Sequence, residues 1–357
     1  MSTRVAVIGV GLIGGSIALA VRERLGVEVA GFDESPAALD LAISRGALSR
    51  RCASVAEAVA GAEIVFVAVP MGALSGAVTL ALTSAAGDCV VTDVGSTKRA
   101  VAAAHSDPRF VGGHPLAGAE SSGVEHARVD LFDGATWYLT PTAETSGIAY
   151  ERLHRLLHAL GARPVAIDPE THDTILATVS HLPHVLANVL VSQAAGTLAA
   201  GERLPATGPS FRDATRVAGA PSRIWTDIYL SNRDALAAGI AEAIDRLGQV
   251  RRSLLGGDSE QITAWNDGAA ADRRRLLEAQ LAGGPLYELR ASVPNRPGVI
   301  AQLALELGRA GVNITDMALY PAPDMSDGVV ALWISGERAA RRTEELVGKL
   351  GFPVARA

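Results

Sequence analysis

Short apolar runs without polar alternation recur through the first part of the chain. Val5-Ala6-Val7-Ile8, residues 27–32, 64–69 and 89–94, and Phe110-Val111 each read as a strand buried on both faces. Stretches of helical spacing, 16–25 and 74–82 among them, lie between these runs. Strands alternating with helices predict an α/β fold with a parallel, doubly wound sheet, whose ligands gather at the carboxyl ends of the strands. The rhythm loosens over 131–167, where 137–140 and 164–167 read as late strands flanking a helix near 150–160. From Pro169 to about Arg252 the spacing is helical with almost no strand signal, broken at Gly201 and between Pro205 and Pro209. Beyond a linker near Leu281-Ala282-Gly283-Gly284-Pro285, the order is strand 286–293, helix 297–309, strands 312–320 and 328–334, helix 338–349 and a short strand at 352–354. That order, βαββαβ, is the order of a small ferredoxin-like module. Three domains are therefore expected: an N-terminal Rossmann-type domain over 1–168, an all-helical domain over 169–280, and a βαββαβ module over 286–357.

The first strand runs into Gly9-Val10-Gly11-Leu12-Ile13-Gly14 and then a helix, and the second strand ends at Asp33. Strand, GxGxxG, helix, strand and an acid about twenty residues on make up the dinucleotide-binding arrangement. The glycines turn tightly and clear room for a pyrophosphate at the helix N-terminus, with Leu12 and Ile13 in the same turn. Asp33 can accept a ribose 2′-hydroxyl bond, and Glu34 beside it repels a 2′-phosphate. The expected cofactor is NAD rather than NADP.

Pro70, Ser96 and His114 fall at the carboxyl ends of three strands, so small or polar groups converge there on one cleft. Pro70 and Ser96 are placed beside the cofactor. His114 stands in Gly112-Gly113-His114-Pro115, where Pro115 biases it toward an extended backbone. An imidazole held stiffly among small residues is placed to take a proton near neutral pH. The simpler alternative is a histidine that caps a turn.

Bulk properties narrow the partners. The 357 residues are 48% hydrophobic and 20% charged with a net charge of −6, and no basic block marks a nucleic-acid binder. The apolar segment 5–21 is broken by four glycines, so no membrane span is expected there. Two cysteines, Cys52 and Cys89, lack ligand spacing, and no signal-type segment opens the chain, so a reduced cytoplasmic compartment is expected.

Taken together, GVGLIGGS, DVGS before Lys98, GGHPLAG, VSHLPH over 179–184, and Phe211-Arg212-Asp213-Ala214-Thr215-Arg216 followed by Trp225 resemble the prephenate dehydrogenases of tyrosine biosynthesis. The resemblance covers about residues 1–280. It implies NAD-dependent oxidative decarboxylation of prephenate to 4-hydroxyphenylpyruvate, with His114 as base at the substrate hydroxyl and Ser96 orienting that hydroxyl. It also implies Arg216 as a bidentate grip on a substrate carboxylate, and a homodimer. His184 and His172 are expected to line the substrate cleft. His181 is either a cleft residue or a hydrogen-bonded core histidine. Arg212 is either a second carboxylate ligand or a surface charge, and Trp225 either shapes the pocket or packs helices. The three histidines lack cysteine partners and HExxH spacing, so no metal is expected. Arogenate, with an amine where prephenate has a ketone, is the alternative substrate, and no residue separates the two.

The tail, with VPNRPGVIAQLALELGRAGVNI, resembles the ACT domain, an amino-acid-sensing module. That resemblance implies effector contacts at Asn295, Pro297, Gly298 and Asn313, with tyrosine held across a dimer interface. Two other classes compete with this reading. Lysine-dependent hydroxyacid dehydrogenases pair the same architectures, but this chain has only Lys98 and Lys349, neither in the helical domain. A non-catalytic NAD-sensing regulator would need neither base nor arginine clamp.

Overall fold

The computed structural model describes residues 4–118, 121–197, 207–280, 285–322 and 327–357. Eight strands form one sheet: β1 (Val5–Ile8), β2 (Val29–Phe32), β3 (Arg50–Arg51), β4 (Ile64–Val67), β5 (Val90–Asp93), β6 (Phe110–Pro115), β7 (Thr136–Thr140) and β8 (Arg163–Ala166). Their spatial order is β3-β2-β1-β4-β5-β6-β7-β8. The reversal of direction beside β1 is the switch point at which such sheets open a crevice for a ligand. Helices α1 (Leu12–Leu25), α2 (Pro36–Ser44), α3 (Val55–Val59), α4 (Met71–Ser84), α5 (Arg99–Ala104) and α6 (Gly147–Ala159) provide its connections. β1, β4 and β5 are buried along their whole length, as their unbroken apolar runs require.

The sheet departs from the expected parallel pattern at one place. β6 and β7 pair antiparallel, with Gly112 opposite Thr140 and His114 opposite Tyr138. That pairing extends the strand beyond the expected Phe110-Val111 run as far as Pro115, and His114 lies within it. Two elements also begin early. α1 opens at Leu12, directly after Gly11, and α4 at Met71, directly after Pro70, because glycine and proline sit well at the residue before a first turn.

The described residues divide into two compact units. The first takes in Met1–Asp173, Ala220–Ser231 and Leu286–Ala357, so the tail packs with the nucleotide-binding region. The tail comprises β9 (Leu286–Pro294), α13 (Val299–Arg309), β10 (Ile314–Pro321), β11 (Asp327–Ser335), α14 (Glu337–Lys349) and β12 (Val354–Arg356). Its antiparallel sheet, in the order β10-β11-β9-β12, has the ferredoxin-like βαββαβ connection. Close approach explains the docking: a Cβ on Gly308 would lie 1.9 Å from the Ala166 carbonyl oxygen, and only glycine permits that. Ile300 of α13 presses in the same way on Gly147 at the start of α6. A linker read from composition carries no sign of this, since docking depends on which apolar face remains uncovered. Of that linker, residues 281–284 lie outside the described residues.

The second unit, Thr174–Gly219 with Asn232–Pro285, is helical. α7 (Pro169–Leu176) passes through a π turn at Ala177–His181 into α8 (Leu182–Gly196), followed by α9 (Pro209–Thr215), α11 (Arg233–Gly256) and α12 (Ser259–Gln280). α10 (Ser222–Ser231) belongs to the first unit. By length and composition Pro169–Gly196 could cross a membrane. It nevertheless carries the buried polar groups His172, Asp173, His181 and His184, whose hydrogen bonds are made inside the protein.

Candidate active site

The glycine turn between β1 and α1 is built for close approach. Gly9 has φ +88°, and a Cβ there would lie 2.4 Å from the Ala68 carbonyl oxygen. A Cβ on Gly14 would meet the Gly9 carbonyl at 2.0 Å. Gly11 differs, since nothing lies within 4 Å of the Cβ it lacks. It caps α1 with no side-chain hydrogen bond and no acid in the first turn. The first-turn N–H groups, those of Leu12 and Ile13 among them, are therefore offered to a ligand rather than to the protein.

Asp33, just past β2, is fixed against the same turn. Its Oδ2 accepts the Val10 N–H at 2.7 Å and its Oδ1 the Ser35 N–H at 2.8 Å. The remaining lone pairs of the carboxylate suit the hydroxyls of a ribose and repel a phosphate. An open pyrophosphate cradle with an anchored acid beside it fits NAD. Asp33→Ser combined with Glu34→Arg is expected to shift preference toward NADP, read as the ratio of kcat/KM for the two cofactors. Equal use of both cofactors by the unaltered protein would remove this role from Asp33.

Two further expected cofactor positions lie along the same edge of the sheet. Pro70 caps α4, and Ser96, half-buried, stands between β5 and α5.

His114 is the centre of a buried polar array. Its Nδ1 lies 2.9 Å from Nε2 of His172, whose Nδ1 lies 2.8 Å from Oδ1 of Asp173. Asp173 also accepts the backbone N–H of Lys98 at 2.7 Å and of Arg99 at 3.0 Å, which capture the start of α5. Burial alone would push the Asp173 carboxyl up, but the bonds from His172, Lys98 and Arg99 outweigh it and hold the group below the usual carboxylate range. Burial pushes the His172 imidazole below its ordinary value, with Lys98 adding to the effect and Asp173 opposing it. Tyr138 meets the His172 ring edge-on at 5.5 Å and fixes its plane. Lys98, fully buried, forms an ion pair with Asp93 and donates to the Gly113 carbonyl at 2.8 Å. Asp93 in turn accepts the N–H groups of Gly95 and Gly113. The backbone just before His114 is thereby held at both the N–H and the carbonyl of Gly113.

His172 corrects one expectation. It is 0% exposed, enclosed behind His114, and so does not line a cleft. The i, i+1 pair His172-Asp173 at the start of a helix was the available signal for this array. Asp93, Lys98 and Asp173 are not among the expected site residues, although an acid and a lysine flank a buried strand end in the sequence.

The other expected residues lie as follows. Trp225, in the first unit, packs its ring on Tyr229 at 5.6 Å. In the second unit His184 is buried on α8. Burial lowers its pKa, while the backbone of Val217, next to Arg216, acts the other way. The structure thus brings His184 and the Arg216 turn together, and Arg216 and Arg212 are both exposed. His181 is a core histidine hydrogen-bonded to Asn232 at 3.2 Å.

Comparison with known proteins decides the family. Residues 17–166 match the description "Prephenate dehydrogenase, nucleotide-binding domain", and residues 168–266 match "Prephenate dehydrogenase, dimerization domain". The chain belongs to the prephenate dehydrogenase family. It is 32% identical over 358 residues to a prephenate dehydrogenase of Bacillus subtilis, covering 97% of this chain and 96% of that one. The prephenate dehydrogenase of Aquifex aeolicus, solved with hydroxyphenyl propionate and NAD+, superposes with a TM-score of 0.73 at 27% identity, over 77% of this chain and 99% of that one. An arogenate dehydrogenase of Synechocystis is similar at TM-score 0.67 and 26% identity, over 77% of this chain and 100% of that one. Together the two family descriptions span the nucleotide-binding region from residue 17 and most of the helical region. The Bacillus relative extends the match through nearly the whole length, tail included.

The expected effector residues divide. Asn295 and Pro297, with Arg296, line a cavity of about 730 Å³ between the tail and the nucleotide-binding region. Gly298 instead lies against the Ala143 carbonyl, and Asn313 is not among the lining residues. The cavity lies within one chain, formed also by Arg109, Arg152 and Ile148 of the first region.

Proposed function

We propose that this member of the family catalyses the NAD-dependent oxidative decarboxylation of prephenate to 4-hydroxyphenylpyruvate. The observation that carries the reading is His114, an imidazole 8% exposed and fixed by His172, on the same carboxyl edge of the sheet as the open glycine turn. NAD, when bound, accepts the hydride from the ring carbon that bears the hydroxyl. His114 takes the hydroxyl proton as that carbon becomes a carbonyl. Loss of carbon dioxide then returns its bonding pair through the ring to the carbonyl oxygen, aromatisation drives the step, and the proton held on His114 goes back to that oxygen to give the phenol. Ser96 orients the hydroxyl, and Leu12, Ile13 and the glycines hold the cofactor.

Arg216 is assigned the grip on a substrate carboxylate, with Arg212 the reserve candidate. Arg216→Ala is expected to raise KM far more than it lowers kcat, the pattern of lost uniform binding. An unchanged KM transfers the role to Arg212. Steady-state kinetics on prephenate and arogenate decide the substrate, with prephenate expected to have the larger kcat/KM.

The same reading places the enzyme in the cytoplasm, where the two buried thiols Cys52 and Cys89 stay reduced. It also makes the enzyme a homodimer. The second unit leaves Ile244, Leu247, Leu255, Trp265 and Leu276 more than half exposed, an apolar surface that a second copy would cover. The tail is assigned to feedback control by tyrosine, and the cavity at Asn295 and Pro297 supports that assignment. Its size suits a small ligand, and Arg296 at its wall can meet a carboxylate. Tyrosine is expected to weaken prephenate binding by about 5–150-fold. Arg296→Glu should abolish that effect while leaving uninhibited turnover intact, and inhibition of equal strength in this variant would remove the cavity from control.

A further inference from the structure

The buried array fixes where its protons reside. Asp173 accepts two backbone N–H groups and its carboxyl is held below the ordinary range, so it faces His172 as an acceptor. The His172 Nδ1 at 2.8 Å must then carry the hydrogen. With that hydrogen on Nδ1 and full burial disfavouring a second, charged proton, its Nε2 retains a lone pair. Nε2 lies 2.9 Å from Nδ1 of His114, and two lone pairs cannot share that distance. His114 therefore donates from Nδ1. A free imidazole prefers the opposite tautomer, with the hydrogen on Nε2, so the preference has to be imposed.

We propose that Asp173 and His172 are positioning residues that hold His114 in its Nδ1–H tautomer, leaving Nε2 as the nitrogen that takes the substrate proton. This deepens the reading of His114 as base and rests on it. The proton moves from the substrate hydroxyl to Nε2, and the Nδ1 hydrogen stays where it is. The imidazolium that forms is stabilised through His172 by the Asp173 charge, without a second proton transfer. Tyr138 holds the His172 ring edge-on and keeps the two histidines aligned. Neither positioning residue touches substrate in this account, since His172 is enclosed.

The test is long-range 1H–15N correlation spectroscopy of the full-length protein labelled on histidine, without substrate, at a pH where His114 is neutral. The unaltered protein is expected to show Nδ1–H at His114. His172→Leu removes the acceptor, and the Nε2–H tautomer should then dominate, with kcat down about tenfold or more and KM little changed. His172→Gln restores an acceptor oxygen for Nδ1–H and should recover most of the loss. Asp173→Leu removes the oxygen that accepts from His172 and should loosen the Nδ1–H preference at His114. Because Asp173 also captures the start of α5, the two His172 variants carry the test if that protein is unstable. Nε2–H in the unaltered protein, or an unchanged tautomer in His172→Leu, would overturn the proposal. A chain showing the expected tautomer but inactive on prephenate would sink the proposed function alone.

Discussion

His114→Asn should leave NAD and substrate binding intact and lower kcat by about 10²–10⁴-fold, the range for a lost general base. The size of the effect follows from the site. Among the described residues, no other histidine stands on the carboxyl edge of β5 and β6 with an accessible face; His172 is enclosed. Asparagine is the informative replacement because its amide can still donate toward His172 Nε2. Buried polar satisfaction is retained while the basic nitrogen is lost. Binding is measured separately, by titration of NAD and of a non-reacting substrate analogue. A variant with near-normal kcat would take His114 out of the chemistry.

The second large effect concerns stability. Lys98→Met should reduce the unfolding free energy by about 3–5 kcal/mol, the loss seen when one partner of a buried ion pair is removed. Lys98 and Asp93 are both fully buried, and the Gly113 carbonyl also depends on the Lys98 ammonium. Methionine leaves the Asp93 charge without its counter-ion and that carbonyl without a donor. Burial already pushes the Lys98 pKa down against the pull of Asp93, so the pair is held by partnership rather than by solvent. Asp93→Asn in the Lys98→Met background removes the stranded charge and should return a large part of the loss, which urea denaturation of the three proteins can measure. If Lys98→Met alone matches the parent, the pair does not hold the site. Activity should fall along with stability, because the same bonds set the backbone that presents His114.

The features that could be read from the sequence were those with a local signature. Unbroken apolar runs at β1, β4 and β5 announced a sheet buried on both faces, and GxGxxG with Asp33 announced the cofactor turn. His114 stood out because glycine and proline flank it. The direction of β7 could not be read, since 137–140 is as apolar as its parallel neighbours and period-two patterning does not encode strand polarity. The Asp173–His172–His114 array joins residues 58 positions apart, and Lys98 reaches both Asp93 and Gly113. Such bonds depend on register between elements and leave no mark within any one of them. The expected place of His172 at the cleft fails for the same reason, since its bond to Asp173 is made in the buried interior. The docking of the tail was hidden in the same way: Gly308 reads as an ordinary helical glycine until Ala166 is seen against it.

The central claim is most directly tested by prephenate-dependent reduction of NAD in the purified full-length protein, followed together with release of carbon dioxide. One NADH and one carbon dioxide per prephenate, with NADP a poor substitute, is the expected result. A folded protein that binds NAD but forms no NADH with prephenate would contradict the account.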